Sequence, residues 1–89
     1  MSVYSISYDL RKPGRNYENL IASLRHWGAV SYLESDWLLV SNASAEQIRD
    51  ALLPLVDAND GVFVAALTGE AAWNKILCAG DVLKAKLNS

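Results

Sequence analysis

Apolar and polar positions alternate from Val3 to Leu10. Tyr4, Ile6, Tyr8 and Leu10 fall on one side, and Ser5, Ser7 and Asp9 on the other. A period of two is the pattern of a strand with one buried face. Pro13-Gly14 then breaks the backbone and the period changes. Tyr17, Leu20, Ile21, Leu24 and Trp27 recur at helical spacing, predicting an amphipathic helix from Asn16 to Trp27. Asn16 suits the N-cap, Glu18 favours the positive end of the helix dipole, and Gly28 stands where a left-handed residue ends a helix.

Ala29 to Leu33 reads as a short strand, and Asp36 to Ser41 as another, joined through the polar Glu34-Ser35-Asp36. Trp37, Leu39 and Ser41 alternate with Leu38 and Val40, so both faces of the later strand are apolar, as in a sheet interior. Ser44 and Gln47 form a capping box that opens a helix with Ile48, Ala51, Leu52 and Leu55 as its buried stripe. Pro54 ends that helix between Leu53 and Val56. Asp57-Ala58-Asn59-Asp60-Gly61 reads as a turn, and the apolar run from Val62 to Leu67 as a strand buried on both faces. From Thr68 or Gly69 a helical segment is expected, with Ala72, Trp73, Ile76 and Leu77 on one side. Gly80 interrupts it, and Asp81 opens a last short helix from Val82 to Leu87.

The order strand, helix, strand, strand, helix, strand is the βαββαβ pattern of an α+β, ferredoxin-like fold. Residues 1–67 form that core, with a four-stranded antiparallel sheet, and residues 68–89 a helical C-terminal extension of the same domain. Right-handed crossovers place the first and third strands in the centre and both helices on one face. The other face is left for the tail or a partner subunit to cover.

The chain has 89 residues, 52 % of them hydrophobic and 20 % charged. This is enough for one small domain that buries roughly 60–65 % of its unfolded surface. A lone Cys78 makes no internal disulfide, and one Cys with one His cannot close a zinc site within a chain. A Ser-His-Asp arrangement would have to use His26, which otherwise suits the helix C-terminus. In the acidic turn, glycine falls fifth from Asp57 rather than sixth, and Thr68 stands where a calcium loop needs glutamate. No signal peptide or membrane span is indicated, and a cytoplasmic location is the expectation. The net charge of −2 argues against a protein that coats nucleic acid along its whole surface. Yet Arg11, Lys12, Arg15 and Arg25 gather around the first helix, where guanidinium forks suit phosphate. They serve equally as a solvated rim. Trp37 and Trp73 suit burial or an interface as well as base stacking.

Tyr8-Asp9-Leu10 at the end of a first strand, with a helix closing Leu24-Arg25-His26-Trp27-Gly28, resembles the small CRISPR-associated endonucleases of spacer acquisition. It also resembles the virulence-associated protein D toxins, which share that fold. The resemblance runs over residues 3–67 by element order and over Tyr8, Asp9 and Gly28 by motif. It implies a symmetric homodimer in which paired Asp9 carboxylates bind Mg or Mn, and metal-activated water attacks a phosphodiester. Ser31 to Ser35 lacks the family's aromatic-rich strand, and Glu70 to Leu87 reads helical where a fifth strand is usual. Two expectations follow. One is a divergent relative of that dimeric nuclease family, with Asp9 as ligand and Arg11, Lys12, Arg15 and Arg25 on nucleic acid, its activity kept or lost. The other is a non-catalytic ferredoxin-like homodimeric assembly or regulatory module, in which Asp9 is a polar strand end tied to Arg11 or the backbone.

Overall fold

The computed structural model of the chain describes residues 1–11 and 17–88. Four strands form one antiparallel sheet: β1 (Ser2–Asp9), β2 (Val30–Leu33), β3 (Asp36–Ser41) and β4 (Gly61–Leu67). Their order is β2-β3-β1-β4, so β1 and β3 are central and β2 and β4 are edges. Helices α1 (Glu18–His26) and α2 (Ala45–Leu52) link strands, and α3 (Gly80–Leu87) ends the fold.

Residues opposite one another in an antiparallel sheet share a face. Tyr4, Ile6 and Tyr8 of β1 therefore stand with Leu39 and Trp37 of β3 and with Val64 and Val62 of β4. On this side they meet Leu20 and Leu24 of α1 and Ile48 and Leu52 of α2 in one cluster. Ile6, Leu20, Leu24 and Leu52 are its most deeply buried side chains, each worth about 1.5–3 kcal/mol of burial. The polar tips of the buried aromatics are satisfied. Trp37 Nε1 donates to the Tyr8 hydroxyl at 2.9 Å, and Tyr4 donates to the Ala43 carbonyl at 2.7 Å.

The caps follow from sequence. Gly28 has φ +83°, and its N–H reaches the Arg25 carbonyl while that of Ala29 reaches Leu24, a Schellman closure of α1. Asn16, the expected N-cap of α1, lies outside the described residues. At α2 the Ser44–Gln47 capping box is complete, with bonds of 3.1 and 2.8 Å. Pro54 falls in a 3₁₀ turn, Leu53–Leu55, that ends the helical stretch.

Two expectations are corrected. No helix starts at Thr68 or Gly69, and residues 68–79 form an irregular crossing. Gly69 at φ +98° and Lys75 at φ 54° occupy the left-handed region, which no right-handed helix admits. The chain must travel from one edge of the sheet to the other, where Leu77 N–H meets the Tyr32 carbonyl at 2.9 Å. A helix rises only about 1.5 Å per residue, so the longer reach of irregular backbone overrides the local helical pattern. Cys78 accordingly sits on this crossing rather than on a helix, half-buried against the tail-side cluster. Second, β4 is not buried on either face: on the helix side Val62 and Val64 are half-buried and Ala66 is exposed. On the other side Phe63 is 66 % exposed and Leu67 36 %, because the tail covers only part of that face. Leu83 of α3 packs on Val3 and Leu38 there, with Tyr32, Val40 and Ile76 around it.

Candidate functional site

β1 delivers Asp9 to the end of the sheet, opposite Gly61 of β4 and on the tail side. Its side chain is 72 % exposed, and Arg11 Nε donates to Asp9 Oδ2 at 3.0 Å. Arg11 also donates from Nη1 to the Asn59 carbonyl at 3.2 Å, so its guanidinium lies across the β4 terminus. Gly61 makes room for it, since a Cβ there would come within 3.1 Å of Arg11 Nη2. An exposed pair of this kind contributes about 0–1 kcal/mol. Its consequence is chemical, because a cation occupies one side of the only carboxylate that the resemblance singles out.

Asp60 was not legible as a key residue. Its carboxylate accepts from Arg11 N–H (2.7 Å), the Tyr17 hydroxyl (2.7 Å) and Asp57 N–H (2.7 Å). One side chain thus ties the exit of β1, the start of α1 and the turn before β4. The acidic turn is stitched by local bonds, including Asp60 N–H to the Asp57 carbonyl at 3.0 Å, as Asx-type side chains do in turns. Nothing in an Asp-rich turn signals which carboxylate will reach across 49 residues.

Two more acids lie at the β2–β3 turn, which meets this end of β1 where Tyr8 N–H donates to the Ser35 carbonyl at 3.1 Å. Asp36 accepts a hydrogen bond from Ser7, its cross-strand partner. Glu34 lies exposed in the β2–β3 turn. Among the described residues, no three His, Cys, Asp or Glu side chains gather into a group able to hold a metal ion. Mg prefers near-octahedral oxygen coordination; among the described residues Asp9 is the carboxylate at this strand end that the resemblance implies, and its Oδ2 is engaged by Arg11.

The four cations do not all meet. Lys12 and Arg15 lie outside the described residues. Arg11 sits beside Asp9, whereas Arg25 is in the last turn of α1. Tyr17 and Arg11 share Asp60, which fixes the start of α1 near Arg11. Arg25 therefore lies about 11 Å farther along the helix axis. His26 neighbours it, exposed, in the same last turn. Trp37 is buried in the core, and Trp73 is part-exposed over the tail-side face.

Two cavities flank the tail side. One of about 400 Å³ lies beneath the crossing segment, lined by Ser5, Tyr32, Leu67, Trp73, Asn74 and Leu83 among others. Within it the Tyr32 and Ser5 hydroxyls share a hydrogen bond of 2.7 Å across β3. A shallower one of about 320 Å³ is lined by Ser7, Asp9, Gly61 and Phe63. No helix among the described residues is long and apolar enough to cross a membrane. No protein-family model and no solved structure matches the chain.

Proposed function

We propose that this chain is a ferredoxin-like assembly module that acts by associating with further copies rather than by catalysis. The observation that carries this reading is Phe63, an aromatic side chain 66 % exposed on the half of the sheet that the tail leaves bare. Large apolar side chains left in water beside an uncharged edge strand mark interaction surfaces. The strand order β2-β3-β1-β4 and the packing of α1 and α2 on one face support the ferredoxin-like reading. The Arg11–Asp9 pair supports a structural role for Asp9 at the strand end.

A second reading, the divergent metal-dependent nuclease, is favoured by one feature: Asp9 lines an open cavity with Phe63, an aromatic face on which a base would stack. In that case the Mg or Mn would need Asp9 carboxylates from two copies. Incubation of labelled RNA and DNA with Mg or Mn, comparing wild type with Asp9→Ala, separates the two. The assembly reading expects identical background rates. Hydrolysis lost in Asp9→Ala would replace it with the nuclease reading.

A further inference from the structure

We infer that the partner of this module is a second copy of the chain, joined edge to edge through β4 about a two-fold axis at Val64. The inference rests on the assembly reading and names its surface and register. The outer backbone groups of β4 have no partner among the described residues, since its only sheet neighbour is β1. Gly61-Val62-Phe63-Val64-Ala65-Ala66-Leu67 carries no charge and no proline, and it pairs with β1 without a bulge. These are the devices that keep exposed edges from pairing, and all three are missing.

The strand is also complementary to its own reverse. Antiparallel pairing centred on Val64 sets Phe63 opposite Ala65, Val62 opposite Ala66 and Leu67 opposite Gly61 of the other copy. At each of these positions a larger side chain meets a smaller one. Phe63 and Ala65 share the tail side, while Val62 and Ala66 share the helix side, so faces match across the axis. The two Phe63 rings become diagonal neighbours, about 7–8 Å apart and within aromatic reach. Each ring thereby gains the cover it lacks in one copy.

Seven residues span about 24 Å of strand. An edge of that length with two Phe63 rings is at the small end of specific interfaces, which bury ~1,000 Å² or more, so the association is sought from micromolar concentration upward. A net charge of −2 per copy adds little repulsion. The product is a continuous eight-stranded sheet in which the two Asp9 residues stand on the order of 25 Å apart. This dimer therefore cannot form a shared Asp9 metal site.

Sedimentation equilibrium over a micromolar to millimolar range tests the idea with wild type, Phe63→Lys and Ala65→Lys. Both positions face the tail side, Phe63 exposed and Ala65 half-buried, and circular dichroism checks that each variant folds. A wild-type dimer weakened more than about tenfold by each lysine is expected. A wild-type dimer unmoved by either would overturn the β4 interface and leave the assembly reading standing. A wild type that stays monomeric throughout would overturn both. A cysteine arm tests the register without adding charge. In a Cys78→Ser background, Val64→Cys places two thiols opposite each other at a Cα spacing of about 4.5–5.5 Å, suited to a disulfide. It should oxidise to a covalent dimer far faster than Leu53→Cys, which is exposed on the 3₁₀ turn. Equal rates for the two would overturn the register.

Discussion

At one edge of the sheet, β2 is four residues long and bulged between Ser31 and Leu33, with Glu34 following. Its Tyr32 carbonyl is taken by Leu77 N–H. At the other edge, β4 runs seven residues in unbroken register with β1 and carries no charge. The same piece of chain explains both. Leaving β4 at Leu67, it crosses the sheet to meet β2 through Leu77 and is held by Leu83 on Val3 and Leu38 of the central strands, so the edge it departs from is the one it cannot cover. A short tail can close one side of a small sheet. It leaves the other for a partner.

The comparison is broken most severely by undoing the anchor. Leu83 is 4 % exposed between Val3 and Leu38, and Leu83→Ala should cost about 2–4 kcal/mol in urea unfolding. Hydrogen exchange in residues 68–87 should rise with it, making the β2 edge as accessible as β4. A loss below about 0.5 kcal/mol would mean the tail does not hold the β2 side. Tyr32→Phe is a finer probe of the same edge. It removes the hydroxyl bond to Ser5 and should cost about 1 kcal/mol, read by the same unfolding curves. Phe63→Lys, on the uncovered side, should leave the stability of the monomer within about 0.5 kcal/mol while weakening association. A large destabilisation there would show that Phe63 supports the fold of one copy.

The helix-side half of the molecule was legible because periodicity reports burial on a single dominant face. Tyr4, Ile6 and Tyr8 alternate cleanly, and Leu20, Leu24, Ile48 and Leu52 recur at helical spacing. Gly28 and the Ser44–Gln47 box marked helix ends through local backbone chemistry that needs no tertiary partner. The tail was not legible. Ala71-Ala72-Trp73 suits a helix locally, yet its path is set by the distance from Leu67 to Tyr32, which no local pattern contains. The run from Val62 to Leu67 misled for a related reason. A wholly apolar strand looks the same whether its second face is filled by its own chain or by another.

At the candidate site, the position of Asp9 at the end of β1 was readable, and so was the option of a tie to Arg11. The convergence of Arg11, Tyr17 and Asp57 on Asp60 was not, because it joins segments more than 40 residues apart. Nearness in sequence groups Arg25 with Arg11, and its place in the last turn of α1 is not part of that reading. The helix carries it away from Arg11.

Hydrogen exchange of wild-type protein at low and at high concentration tests the contrast between the edges most directly. The proposed dimer predicts that the outward-facing amides among residues 61–67, those not bonded to β1, exchange readily when dilute and gain protection as concentration rises, with residues 30–33 and 77 unchanged. Protection that does not depend on concentration in β4, or a gain confined to β2, would contradict it.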